Sequence, residues 1–309
     1  MDHADLIVEK SDILKADWKS RSPLSIRDGE ARLEIEALAL TANNVTYAVF
    51  ADFAGYWNFF PTGEDTLGRV PHWGFAKIVE STVDTLPTGT RVYGYLPCSS
   101  DLVIQPGKFD PYGFYDLSPH RAELPHFYNR LHLTETDPAY DGAYEDIQML
   151  VRPLYATGWL LDDYIVNREA PPAQILVSSA SSKTALAMAH KLKSRDGLMV
   201  TGLTSEKNVP FVQSTGFYDT VVSYDALEDI PGIGPAILTD FLGDPSLRTK
   251  LDNALGDIFA GTVAIGATAW DAERAMGTDA SGKPVEMFFA PGHADVMAKR
   301  VGPAELAQS

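Results

Sequence analysis

The segment from Gln174 to Tyr224 constrains this chain more than any other. Gln174-Ile175-Leu176-Val177 has the length and β-branching of a buried parallel strand. It gives way to Ser178-Ser179-Ala180-Ser181-Ser182-Lys183-Thr184, then to an amphipathic helical stretch, Ala185 to Lys193. A second strand, Leu198 to Leu203, begins about 20 residues after the first, the spacing of a parallel βαβ unit. Nucleotide-binding versions of that unit place glycines at the strand-to-helix turn so that a pyrophosphate can approach bare backbone. Serines, an alanine and a lysine stand there instead. The frame is that of a nucleotide-binding domain; the phosphate loop is not.

The remainder supplies strands and helices in a definite order. Ala31 to Leu40, Trp73 to Ser81, Arg91 to Leu96 and Leu102 to Ile104 read as short strands, with turn chemistry at Pro87-Thr88-Gly89-Thr90. They predict a small barrel or sandwich. Residues 106–145 are dense in aromatics, histidines and prolines, which predicts a long lid or binding loop, or else an aromatic-anchored wrap or dimer contact. Glu145 to Val166 reads as helix broken at Pro153. Glu206 to Val212 reads as a short helix, Phe217 to Tyr224 as a strand, Ala236 to Phe241 as another, Pro245 to Leu255 as a helix and Gly261 to Gly266 as a fifth strand. Strands alternating with helices predict an α/β fold with a doubly wound parallel sheet. The expected organisation is a β-rich domain over 1–145, with an insertion at 106–145, an α/β domain over 146–290 and a tail over 291–309.

Composition excludes more than it selects. A formal net charge of −17 over 309 residues argues against nucleic acid or anionic membrane as the partner. Cys98 is the single cysteine, so no intramolecular disulfide forms and a reducing compartment is expected. The start, Met1 to Asp5, lacks an apolar signal core and no run of about 18 apolar residues occurs. A cytoplasmic protein is expected. No Gly-x-Ser-x-Gly elbow occurs, which sets aside a serine hydrolase, and Ser182-Lys183-Thr184 lacks both glycines of a P-loop.

The serine turn supports two readings. A helix N-terminus keeps its free N–H groups and partial positive charge whatever its side chains, and Ser179, Ser181, Ser182, Lys183 and Thr184 add hydroxyls and a full charge. Side chains at glycine positions also fill the space a pyrophosphate would use, and a position needing φ > 0 strains a serine. The end of the second strand, Thr201 to Asn208, carries no acid directly at the strand end but has Thr204, Ser205 and Lys207, which suits a 2′-phosphate better than a free ribose hydroxyl. The alternative there is an ordinary turn with Ser205 as N-cap.

Four segments carry a likeness to a known family. Ala31 to Thr46 looks like its opening strand and first active-site turn. Val70 to Val79 resembles its Pro-x-x-Gly-x-Glu-x-x-Gly-x-Val region, Leu86 to Gly94 its Gly-Asp-Arg-Val turn with Thr90 for the aspartate, and Phe217 to Tyr224 its Gly-Ala-Asp-x-Val-Ile-x-Tyr strand entry. In order and spacing, residues 30–290 resemble the medium-chain dehydrogenase/reductase superfamily, in its zinc-independent quinone oxidoreductase and enone reductase branches, and more specifically the family labelled DUF2855.

The resemblance implies a GroES-like β-barrel followed by a Rossmann-type domain, with the active site in the cleft between them. It implies a metal-independent, NADPH-dependent reductase of a small enone, quinone or aromatic carbonyl compound. By the same resemblance Tyr47 is the proton donor and Asn44 orients a carbonyl, while Arg69, His72 and Arg152 suit a carboxylate or phenolate. Each has a structural alternative: Tyr47 in the core, Arg69 in an ion pair, His72 as a buried histidine. Where zinc-dependent members hold ligands, this chain has Trp73 beside His72 and Asn43 or Asn44 for the cysteine, so no metal is expected. Homodimerisation is expected through an exposed sheet edge at Thr262 to Thr268. Two rival functions stand beside the reductase: a cofactor-independent lyase or isomerase, and a non-catalytic small-molecule binder on the same scaffold.

Overall fold

The computed structural model describes residues 3–265, 277–279 and 281–301. The chain divides into two compact units, Met1–Arg152 and Pro153–Ser309.

The first unit opens with a hairpin that the sequence reading does not anticipate, β1 (Ala4–Glu9) and β2 (Asp12–Ser20). Next come β3 (Ala31–Leu38), helices α1 (Ala42–Val49) and α2 (Ala51–Ala54), β4 (Leu67–Gly68), β5 (Pro71–Ser81), β6 (Arg91–Pro97) and β7 (Asp101–Ile104). Residues 106–145 are not one long loop. They supply β8 (Pro106–Asp110), β9 (Gly113–Asp116) and β10 (Arg130–Leu133). Their prolines punctuate rather than prevent structure: Pro106 begins a strand, and Pro119 opens a 3-10 turn, positions that need no backbone donor. The aromatics here, Phe114 and Tyr128, point into the core, where burial outweighs local loop propensity.

Two antiparallel sheets result, β2-β1-β4 and the curled β7-β3-β5-β6-β10-β9-β8, a GroES-like half-barrel open at its two ends. Gly74 permits the tight β3–β5 approach. A Cβ there would lie 2.1 Å from the Ala37 carbonyl, beside the irregularity between Ile35 and Ala37. One core cluster is aliphatic, around Leu33, Ile78, Leu96 and Ile104. The other is aromatic, around Tyr47, Phe59, Trp73, Tyr95 and Tyr128.

Helix α3 (Glu145–Val166) runs through Pro153 without a break, contrary to expectation. Proline removes one helical hydrogen bond and costs about 3 kcal/mol in a helix interior. Burial of Met149, Leu160, Leu161 and Ile165 along the helix offsets that cost, and Thr157 donates its hydroxyl back to the Pro153 carbonyl.

The second unit continues with β11 (Gln174–Val177), α4 (Lys183–Leu192), β12 (Met199–Thr204), α5 (Val209–Thr215), β13 (Thr220–Ser223), β14 (Ala236–Asp240), α6 (Pro245–Leu255), β15 (Phe259–Ala264), β16 (Gly277–Thr278), β17 (Pro284–Met287) and α7 (Ala290–Val301). The sheet order is β13-β12-β11-β14-β15-β17-β16. Its first six strands are parallel neighbours in the doubly wound Rossmann order, with antiparallel β16 at the end. Here one expectation fails. Strand β15 is no open edge, because Thr262, Val263 and Ala264 pair with Val285, Glu286 and Met287 of β17. The C-terminal strand covers what a partner subunit was expected to protect; Gly266 to Thr268 lie outside the described residues. Among the described residues, no helix is long and apolar enough to cross a membrane.

Candidate functional site

In an open α/β sheet, ligands bind outside the carboxyl ends of the strands where the order reverses. That point lies between β11 and β14. There the buried Ser178 hydroxyl donates to Asp240 Oδ1 at 2.9 Å and accepts from the amides of Phe241 (2.8 Å) and Leu242 (3.1 Å). Asp240 also accepts from the Gly243 amide at 3.0 Å and from buried Arg248 at 3.3 Å. This network ties the ends of both strands together, and Ser178 is committed to it.

The turn that follows keeps a glycine-like shape without glycine. Ser179 sits at φ 48°, in the left-handed region, and its amide donates to the Tyr224 hydroxyl at 2.7 Å. The Ala180 amide donates to the Leu203 carbonyl and its own carbonyl accepts from Tyr218. Ser181 Oγ accepts from Asn208 Nδ2 at 3.2 Å, which joins this turn to the one after β12. Ser182 is the N-cap of α4 and accepts from the Ala185 amide at 3.4 Å. Lys183 is exposed and Thr184 half-buried. Among the described residues, no hydrogen bond engages the amides of Lys183 and Thr184, the first two of the helix. Thr204 is buried at the end of β12, while Lys207 is exposed. Ser205 occupies the N-cap position of the next 3-10 turn without making the capping bond. Two unengaged amides at a helix start, an ammonium beside them and a second lysine one strand away can hold an anion. Sequence reasoning missed Tyr224 and Asn208, which hold the turn from distant positions.

The first unit holds the remaining candidates. Asn44 completes a capping box at the start of α1, accepting from the Thr41 amide at 2.7 Å, and its Nδ2 donates to the Pro71 carbonyl at 2.8 Å. Tyr47, one turn on, is buried and accepts from Trp73 Nε1 at 3.1 Å. Burial holds its hydroxyl well above the usual phenol range, against the opposing pull of Trp73 and Asn43. Around it Tyr56 and Tyr128 share a hydrogen bond of 3.2 Å and Tyr95 stacks on Tyr128 at 4.4 Å. The Tyr93 and Tyr95 hydroxyls are buried with no hydrogen-bond partner among the described residues.

The basic candidates are scattered. His72 is buried with Nδ1 2.9 Å from the Val70 carbonyl, and burial lowers its pKa, against that bond's pull. Arg69 donates to the carbonyls of Phe60 (3.2 Å) and Pro61 (2.7 Å) and lies 3.6 Å from Asp5. Among the described residues no hydrogen bond or ion pair joins Arg69 to His72. Arg152 pairs with Asp137, lies 3.4 Å from His132 Nδ1 and covers the Tyr93 ring at 4.9 Å. The sequence reading counted His132 only within the histidine-dense segment and did not single out Asp137, because β10, which carries His132, went unread and Asp137 lies in the loop beyond it. Cys98 is free and half-buried, and among the described residues no cluster of three or more His, Cys, Asp or Glu could hold a metal ion.

His132 makes a measurable consequence. Burial first, then Arg152, hold its pKa far below that of a free histidine. Above the unfolded value of about 6.5 both states are neutral and pH has no leverage. Below it the unfolded chain takes up a proton that the folded chain refuses, so stability falls by about 1.4 kcal/mol per pH unit for this residue. Melting temperature should drop on acidification from pH 6.5 to 5, and His132→Gln should flatten that slope; an unchanged slope would refute the assignment.

Curled antiparallel sheet and doubly wound sheet together give the fold of the medium-chain dehydrogenases/reductases. The chain belongs to DUF2855, described as a protein of unknown function, whose family model matches residues 38–309. Among solved structures it is similar to the Escherichia coli quinone oxidoreductase complexed with NADPH (13% identity, TM-score 0.56, covering 99% of this chain and 88% of that one). It is similar also to CurA of Vibrio vulnificus in complex with NADPH (13%, 0.59, 99% and 86%) and to the CurK enoyl reductase (15%, 0.58, 100% and 86%). Identities this low establish the fold. No curated protein matches the chain by sequence.

Proposed function

We propose that the protein is a metal-independent, NADPH-dependent oxidoreductase acting on a small enone, quinone or aromatic carbonyl compound. The observation that carries this is the turn at Ser179 to Thr184. It keeps left-handed backbone where a dinucleotide fold needs glycine and presents the unengaged Lys183 and Thr184 amides beside the Lys183 charge. These residues fit a diphosphate, with Ser181 and Ser182 lining the turn, and Thr204, Ser205 and Lys207 fit a 2′-phosphate. Two of the similar solved structures hold NADPH. NADPH, when bound, supplies the hydride.

In the first unit Tyr47 holds a proton at Oη: burial keeps the phenol neutral, and Trp73 donates to the oxygen without taking that proton. Asn44 fixes the start of the helix that carries Tyr47. Arg152, His72 and Arg69 are the cationic or ionisable groups for a carboxylate or phenolate substrate, Arg152 the most exposed of those whose partners are side chains.

One observation favours a second reading, a lyase or isomerase without dinucleotide. The Tyr224 hydroxyl already occupies the Ser179 amide. Fluorescence titration with NADPH and NADH separates the two. The first reading expects saturable binding with NADPH preferred, and Lys207→Glu to weaken NADPH by roughly ten- to hundredfold, the worth of a charge-assisted hydrogen bond, while leaving NADH unchanged. No binding of either nucleotide removes the reductase reading and leaves the second.

A further inference from the structure

One side-chain bond joins the turn after β11 to the turn after β12, and its direction matters. Asn208 Nδ2 donates to Ser181 Oγ at 3.2 Å. An amide N–H can only donate, so the Ser181 oxygen accepts and its own hydroxyl proton stays unspent. Among the described residues, no other hydrogen bond engages the Ser181 side chain. Ser181 stands immediately before Ser182, the N-cap of α4, and is half-buried. Its proton is therefore left to donate at the same turn that carries the unengaged Lys183 and Thr184 amides. Asn208 directly precedes α5, where asparagine commonly caps a helix, yet its side chain makes no capping bond. Backbone contacts hold both ends of the bridge: the Asn208 amide donates to the Ser205 carbonyl at 2.8 Å, and the Ala180 amide to the Leu203 carbonyl at 3.0 Å.

We infer that Asn208 is a positioning residue for the nucleotide diphosphate and acts through Ser181. By taking a lone pair of the Ser181 oxygen, it leaves the hydroxyl proton aimed at a phosphate oxygen. This rests on the dinucleotide reading above. Glycine in that turn would offer a phosphate bare backbone; Ser181 offers an O–H instead, and Asn208 supplies the aim from one strand away. An unheld hydroxyl samples three staggered orientations, so aim alone is worth up to about threefold in affinity. The O–H bond to a charged oxygen is worth roughly tenfold or more. Asn208→Asp inverts the arrangement. A carboxylate of nearly the same shape only accepts, so it draws the Ser181 proton to itself and away from the ligand.

Fluorescence titration of the full chain with NADPH and NADH tests this. Ser181→Ala and Asn208→Asp should each weaken NADPH roughly tenfold or more. The double variant should fall short of the product of those two losses by about tenfold, since one proton cannot be lost twice. Asn208→Ala should weaken NADPH and NADH by the same factor, about threefold, because both carry the diphosphate. Lys207→Glu, by contrast, is expected to touch NADPH alone. Three results overturn the inference while leaving the reductase reading in place: single losses that simply multiply, a loss from Asn208→Ala confined to NADPH, which would mean direct contact with the 2′-phosphate, or no loss from Asn208→Ala. A wild type that binds neither nucleotide removes both.

Discussion

Exchange of Arg121 for methionine is expected to destabilise the protein by about 3–5 kcal/mol, the cost of leaving a buried charge without its counter-ion. The Arg121 and Asp116 side chains are each only 2% exposed, and Nε lies 3.0 Å from Asp116 Oδ2. That contact is a close ion pair rather than a well-aligned hydrogen bond, since Nε lacks a bond of good geometry. Nη1 reaches Asn129 Oδ1 at 3.3 Å, and the guanidinium lies over Phe59 and Phe60. Asp116 keeps hydrogen bonds from Ser118 and the Gln105 amide, which hold its geometry but cannot neutralise it. Burial already pulls the Arg121 pKa down, a sign of how little water reaches the pair. Urea denaturation measures the loss. Asp116→Asn added to Arg121→Met should recover part of it, and a loss below about 1 kcal/mol would place the pair in the weak, solvent-screened class.

A comparable loss, about 3 kcal/mol, is expected for Asp240→Asn. The substitution is nearly isosteric and retains an oxygen for Ser178 and the Gly243 amide. It removes the negative charge facing Arg248, whose side chain is 5% exposed, and turns an amide donor toward a guanidinium that only donates. Because this network joins the ends of β11 and β14, the damage should also reach the Ser179 turn. Nucleotide affinity is therefore expected to fall along with stability, whereas Lys207→Glu should change affinity alone. Equal stability of wild type and Asp240→Asn would show that Arg248 finds another anion.

The long regular elements were legible because period and caps agree. Helix Pro245–Leu255 begins behind Asp244, whose carboxylate accepts from the Ser246 amide, and ends at Gly256 with φ 55°. The parallel strands were legible as apolar runs. Strand β2 was not, since its Leu14 and Trp18 face solvent and give no alternation toward a core. Strands β8 to β10 were hidden by prolines and aromatics that read as loop chemistry, although burial of Phe114 and Tyr128 decides the matter. Pro153 misled in the opposite sense, because a local breaker lost to the packing of the helix around it. At the candidate site the serine turn was visible from its position after β11. Its partners Tyr224 and Asn208 were not, because only the strand order brings the ends of β12 and β13 beside it.

The bond from the Ser179 amide to the Tyr224 hydroxyl has a consequence for whatever reaches that turn. An unusual backbone conformation is already locked by the chain's own tyrosine, so an arriving guest does not have to freeze a wandering loop and forfeits little motional freedom on docking. It meets amides of two kinds, those of Lys183 and Thr184 unengaged and that of Ser179 already held, so only a guest that reaches for the third has to wait for a phenol to step aside.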